Sequence, residues 1–175
     1  GLVRLMSVAR NMSLAALRVL TRAGQVRRGQ EAAEVARGIA EVRIKTESPQ
    51  IGITSLSGGN QQKVVIAKAL MTAPRMMLLD EPTRGIDIGA KSDIFSTMAR
   101  VARSGVGILF ATSELSEALN ASTRLVIMAR GRIAADLDPR TATRDQVMAA
   151  TGEQITSASG STGSSDSSDP KDSQS

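Results

Sequence analysis

Residues 56–87 constrain this chain more than any other stretch, because three elements with distinct chemistry follow one another in fixed order. Leu-Ser-Gly-Gly-Asn-Gln-Gln-Lys (56–63) opens a helix-length apolar segment. Met-Met-Leu-Leu-Asp-Glu-Pro-Thr (76–83) and Gly-Ile-Asp (85–87) come next. A serine and two glycines at a helix start leave backbone N–H groups free and add no side-chain bulk, so a phosphate can approach closely. The helix is predicted from Ser57 to about Leu70, with Pro74 as its stop. The apolar run 76–79 reads as a short parallel strand buried on both faces. Such a strand delivers Asp80 and Glu81 at its carboxyl end, the edge where open α/β sheets bind ligands. There an aspartate can hold Mg²⁺ through phosphate and water, and a glutamate can polarise an attacking water. Neighbouring strand residues point to opposite faces, so the two acids cannot act as an aspartic-protease pair.

The arrangement resembles the ATP-binding-cassette (ABC) ATPases. Residues 56–62 are similar to their signature motif, 76–81 to Walker B and 85–87 to the D-loop. The fuller strings Leu-Ser-Gly-Gly-Asn-Gln-Gln-Lys and Asp-Glu-Pro-Thr-Arg-Gly-Ile-Asp resemble a narrower group. These are the second nucleotide-binding domains of ATPase subunits in monosaccharide importers of the ribose, galactose and xylose type. The likeness runs from about Gly1 to Gly152.

Composition removes several other chemistries. The 175 residues include no cysteine and no histidine. Disulfide frameworks, thiolate or imidazole metal sites and Ser-His-Asp triads are thereby excluded, leaving carboxylates and backbone amides. Phe95 and Phe110 are the sole aromatic residues, which argues against base stacking on single strands and against an aromatic membrane belt. No apolar run reaches bilayer length. The net charge of +5 is local: residues 1–30 hold six arginines and no acid, and the remainder is slightly negative. A basic patch suits nucleic acid, but equally a solvated helix face or one docked on another subunit, and nucleic acid is not the expected partner.

Elsewhere the signals are local. A helix is expected within residues 1–28, with Leu14, Leu17 and Leu20 in helical register, Asn11 or Ser13 as cap and Gly24 as stop. Another spans 30–42, with Val35, Ile39 and Val42 on one face. Residues 85–92, Gly-Ile-Asp-Ile-Gly-Ala-Lys-Ser, mimic a P-loop, but Ala90 replaces the second glycine and a turn precedes them. Lys91 therefore reads as the exposed start of a helix to about Arg103. A second apolar strand is expected at 107–111, a short helix at 114–120, and a hairpin of 125–129 with 132–137 around Arg130-Gly131. Thr143 and Gln146 form a capping box for a last helix through Ala150. Beyond Gly152 the Ser, Gly, Thr and Asp composition predicts a disordered tail.

The resemblance implies an α/β fold of the P-loop NTPase type. It implies a partial ABC ATPase domain: a largely parallel sheet core plus a helical signature subdomain, with the Walker A portion missing. Residues 1–55 would be part of the helical subdomain facing the membrane subunits, 56–152 the signature, Walker B, D-loop and core, and 153–175 the tail. Glu81 and Asp80 would be catalytic, with Asp80 also holding Mg²⁺. Ser57, Gly58, Gly59, Gln61, Asp87 and Ser113 would contact ATP. In most ABC ATPases a histidine occupies the position of Ser113; the sugar-importer group resembles this chain in lacking it. No Gly-x-x-x-x-Gly-Lys-Ser/Thr occurs in the sequence. The expectation is therefore a carboxyl-terminal fragment, inactive alone, whose signature completes the ATP site of a second nucleotide-binding domain. Its other partners would be permease subunits and, indirectly, a periplasmic sugar-binding protein, at the cytoplasmic face of the inner membrane. Two other readings stand beside it: a non-hydrolytic module docking a permease, and a soluble ABC ATPase acting on nucleic acid or ribosomes.

Overall fold

A computed structural model describes residues 1–22 and 25–152. The expected stop at Gly24 and the expected tail at 153–175 lie outside the described residues. The chain divides into two compact units, Gly1–Thr123 and a second that starts at Arg124.

The first unit opens with α1 (Val8–Ser13), a 3-10 turn, α2 (Leu17–Leu20) and a two-residue ladder of β1 (Thr21–Arg22) with β2 (Gln25–Val26). Neither Asn11 nor Ser13 caps the first helix. Ser7 does, its Oγ accepting from the Arg10 N–H at 3.3 Å. Asn11 is fully buried and binds the chain before the helix: Oδ1 accepts from the Val3 N–H, and Nδ2 donates to the carbonyls of Val3, Met6 and Ser7. An asparagine that satisfies four backbone groups of a loop is worth more inside than at a cap.

Helix α3 (Arg28–Val42) buries Val35 and Val42 and leaves Ile39 half-buried, as its periodicity predicts. It crosses α1 closely at Gly38, where an added methyl group would meet the Met12 side chain at 2.8 Å. Central to the unit is α4 (Gly58–Leu70), whose Val64, Ile66 and Ala67 are fully buried. They join Val8, Met12, Val35 and Val42 on one side and Ile94, Met98 and Val101 of α5 (Ile88–Arg103) on the other. One core thus spans the helical layer and the strand layer.

β3 (Met76–Asp80) and β4 (Gly107–Ala111) pair in parallel, Met76 opposite Gly107 through Asp80 opposite Ala111. Met77, Leu79, Ile108 and Phe110 pack on the helical core, and the Phe95 and Phe110 rings lie 5.9 Å apart. The opposite face departs from expectation. Met76, Leu78 and Leu109 are 55, 73 and 55% exposed, so β3 is covered on one face and not on both. The described elements supply a single layer of helices, and an apolar strand needs a second layer to bury its other face. The parallel core is accordingly two strands wide among the described residues, and the remaining ladders are antiparallel. α6 (Leu115–Ala121) follows β4.

In the second unit, β5 (Leu125–Ala129) and β6 (Arg132–Leu137) form the expected hairpin. Arg130 and Gly131 take φ values of 50° and 75°, the double left-handed turn that matches strand twist. α7 (Arg144–Thr151) starts with the reciprocal Thr143–Gln146 capping box and ends at Gly152 in the left-handed region. An Arg140 fork on Asp138 holds that carboxylate at a pKa of about 2.

Candidate functional site

Two clusters of predicted site residues lie in the first unit, and the amino end of α5 touches both. The first is the turn into α4. Ser57 sits at the N-cap position, extended (φ −60°, ψ 156°) and exposed. Its hydroxyl does not cap the helix; it accepts from Asn60 Nδ2 at 3.0 Å. The first-turn amides keep their donors, and the helix dipole adds partial positive charge there. The two glycines have different tasks. Gly58 is exposed, with no atom within 4 Å of an added Cβ. Gly59 is buried, and an added Cβ would lie 2.7 Å from Ala90 Cβ. One glycine keeps the approach to the helix end open; the other lets α4 rest on α5. Gln61 turns back, its Nε2 donating to the Leu56 carbonyl at 2.8 Å. A shallow cavity of about 360 Å³ adjoins the turn, lined among others by Lys45, Ser57, Asn60 and Ala90.

Lys63, one helical turn beyond Gly59, closes the floor of that cavity. It is 5% exposed and donates to Asp93 of α5 at 3.1 Å and to the Arg43 carbonyl at 3.4 Å. The Lys63 hydrogen bond and charge hold the Asp93 carboxyl below its ordinary value. Sequence reading passed over this pair, although the four-residue spacing from Gly59 puts Lys63 on the face that meets α5.

The second cluster follows β3. Asp80 is exposed at the strand end. Glu81 has φ +44°, a left-handed conformation that re-aims its side chain. Its N–H donates to the Ala111 carbonyl, and its Oε1 accepts from the Ser113 N–H, both at 2.9 Å. Glu81 and Ser113, both expected site residues, are thus in direct contact. Asp87 is the N-cap of α5, Oδ1 accepting from the Ala90 N–H at 2.9 Å. Lys91 is not an exposed helix start: it is half-buried and pairs with Glu114 and with Glu117, the latter at 3.0 Å. These two hydrogen bonds raise its pKa. Asp80, Glu81 and Ser113 do not line the cavity beside Ser57. No group of three acidic side chains able to cage a metal occurs among the described residues. A lone Asp80 suits Mg²⁺ that arrives with a phosphate, because that ion keeps waters and takes one or two carboxylates.

Comparison with known proteins identifies the family of the chain. The sequence profile of the ABC transporter family matches residues 2–84. The xylose import ATP-binding protein XylG of Pectobacterium atrosepticum is 45% identical over 86% of this chain and 29% of its own length. The chain belongs to the ABC transporter family. The ribose import ATP-binding protein RbsA 2 of Streptomyces avermitilis is 43% identical over 86% of the chain and 30% of its own length. The chain thus spans less than a third of these relatives. Solved cassettes share the fold. A metal-chelate type ABC transporter in an inward-facing conformation superposes with a TM-score of 0.73 at 18% identity, over 83% of this chain and 58% of the other. The dimeric cassette MJ0796, in a post-hydrolysis state with ADP and Pi, gives 0.66 at 21% identity, over 80% and 60%.

Proposed function

We propose that this cassette segment serves a monosaccharide importer, corresponding to the carboxyl-terminal part of a second nucleotide-binding domain. In this reading the amides at Ser57, Gly58 and Gly59, with Gln61 beside them, close over the triphosphate of ATP held by the P-loop of another cassette. Asp80 and Glu81, bordered by Asp87 and Ser113, serve a separate and weaker site. When bound there with nucleotide, Mg²⁺ supplies neutralisation of phosphate charge. Glu81 uses one oxygen on Ser113 and keeps Oε2 for orienting a water. Residues 1–55 face the permease subunits, a periplasmic sugar-binding protein acts through them, and the assembly works at the cytoplasmic face of the membrane.

One observation carries the reading: Gly58 is open at the first turn of a 13-residue helix, while its neighbour Gly59 is locked onto α5. A helix start held rigidly from behind and unobstructed in front suits an anion delivered from outside the chain. The names of the import relatives supply the transported class.

The test is ATP hydrolysis by the chain alone and after assembly with a P-loop-bearing cassette and permease subunits in liposomes. The expected result is no turnover alone and sugar-stimulated turnover in the assembly. Turnover by the chain alone, or an assembly that hydrolyses ATP equally well without it, would contradict the reading.

A further inference from the structure

Glu117, in the middle of the short helix α6, has no role in the site described above, yet it is the most heavily engaged buried acid in the first unit. It is 7% exposed, and both of its oxygens are occupied. Oε1 accepts from the Thr83 hydroxyl at 2.7 Å and from Lys91 Nζ at 3.0 Å. Oε2 accepts from the Thr112 hydroxyl at 2.8 Å. Thr83 lies two residues after Glu81, and Thr112 lies one residue before Ser113. Thr112 Oγ1 in turn accepts from the Glu114 N–H at 3.1 Å, which fixes the chain on the far side of Ser113. The carboxylate therefore grips the two segments that must stay in register for Glu81 Oε1 to receive the Ser113 N–H.

We infer that Glu117 is a positioning residue: it clamps the turn after β3 to the end of β4 and so sets the Glu81–Ser113 contact. A buried acid is a poor choice for packing alone, because its charge is costly to desolvate unless several donors converge on it. Here three donors come from three different elements, and two of those elements carry Glu81 and Ser113. Burial favours the neutral acid, but the hydroxyl donors and the Lys91 ammonium outweigh it and keep Glu117 ionised. Lys91, shared with Glu114, supplies the counter-charge from α5.

The relevance of this clamp to ATP rests on the function proposed above; its existence does not, and one experiment separates the two. Amide hydrogen exchange of the full chain is followed by NMR in Thr112→Val, Thr112→Ser and Glu117→Gln. The clamp predicts that Ser113 exchanges about tenfold faster or more in Thr112→Val and Glu117→Gln, the scale of one lost charge-assisted hydrogen bond. Thr112→Ser, which keeps the hydroxyl, restores the original rate, and Leu109 and Phe110 within β4 stay unchanged throughout. An unaltered Ser113 rate in Thr112→Val would overturn the inference. So would equal acceleration along all of β4, or failure of Thr112→Ser to restore the rate. In the assembled importer, Glu81→Gln and Thr112→Val would further give non-additive effects on ATP affinity. An assembly without ATPase activity would sink the proposed function and leave the exchange result standing.

Discussion

The turn into α4 and the rim after β3 use opposite strategies with similar materials. At the α4 turn, polar side chains have partners within the chain: Ser57 is held by Asn60, Gln61 by the Leu56 carbonyl and Lys63 by Asp93. The amide donors of the first turn are left uncommitted, and Gly58 keeps their approach clear. At the β3 rim the acids themselves are committed, Glu81 to Ser113 and Glu117 to Thr83, Thr112 and Lys91. The first region leaves backbone donors free, whereas in the second Glu81 and Glu117 already have partners.

The largest expected effect comes from placing a carboxylate at the open turn. Gly58→Asp introduces a like charge about 4 Å from a bound phosphate, worth about 4 kcal/mol at an effective dielectric of 20. ATP-dependent association with a P-loop cassette, measured by sedimentation, should weaken by about 10³-fold. Thermal stability should stay level or rise slightly, because an acid favours a helix start. A parallel loss of stability would show that Gly58 is a packing residue and erase the contrast with its neighbour. Gly59→Ala tests that neighbour. Its methyl group collides with Ala90, so the chain should lose about 1–3 kcal/mol of stability, read as a lower urea midpoint at unchanged slope.

Lys63→Met keeps the volume of a buried stem and removes its tie to α5. The expected cost is about 1 kcal/mol, since Asp93 can turn to water. The Asp93 carboxyl should then titrate nearer its ordinary 3.8, as followed by NMR. The smallest effect concerns acid stability. Glu117 has a folded pKa below its ordinary 4.5, so it stabilises the fold above that value and the contribution fades as pH falls through the depressed one. Chemical denaturation between pH 7 and 3 should show a shallower acid-side decline in Glu117→Gln than in the parent chain. Equal slopes would remove Glu117 from the comparison.

What the sequence disclosed follows a physical division. α4, the β5–β6 hairpin and α7 have signals within a few residues of themselves: a glycine pair, an Arg-Gly turn, a Thr–Gln box. Asn11 misled because its partners lie in a loop that periodicity does not describe. Lys91 was misread as exposed and Glu117 was passed over because Thr83 is 34 residues from Glu117 and Lys91 is 26. Only folding brings those groups together. The exposed Met76, Leu78 and Leu109 show the reverse case. Their apolarity is a local fact, but whether a strand face is covered depends on which layers lie over it.

The most direct measurement of the central claim is sugar-stimulated ATPase activity of the assembled importer with Gly58→Asp and with Glu81→Gln, side by side. If the open turn serves the productive site and the rim a weaker one, Gly58→Asp abolishes turnover. Glu81→Gln then costs far less than the ~10²–10⁴-fold expected for removing a working general base. Equal losses from the two substitutions would contradict that division.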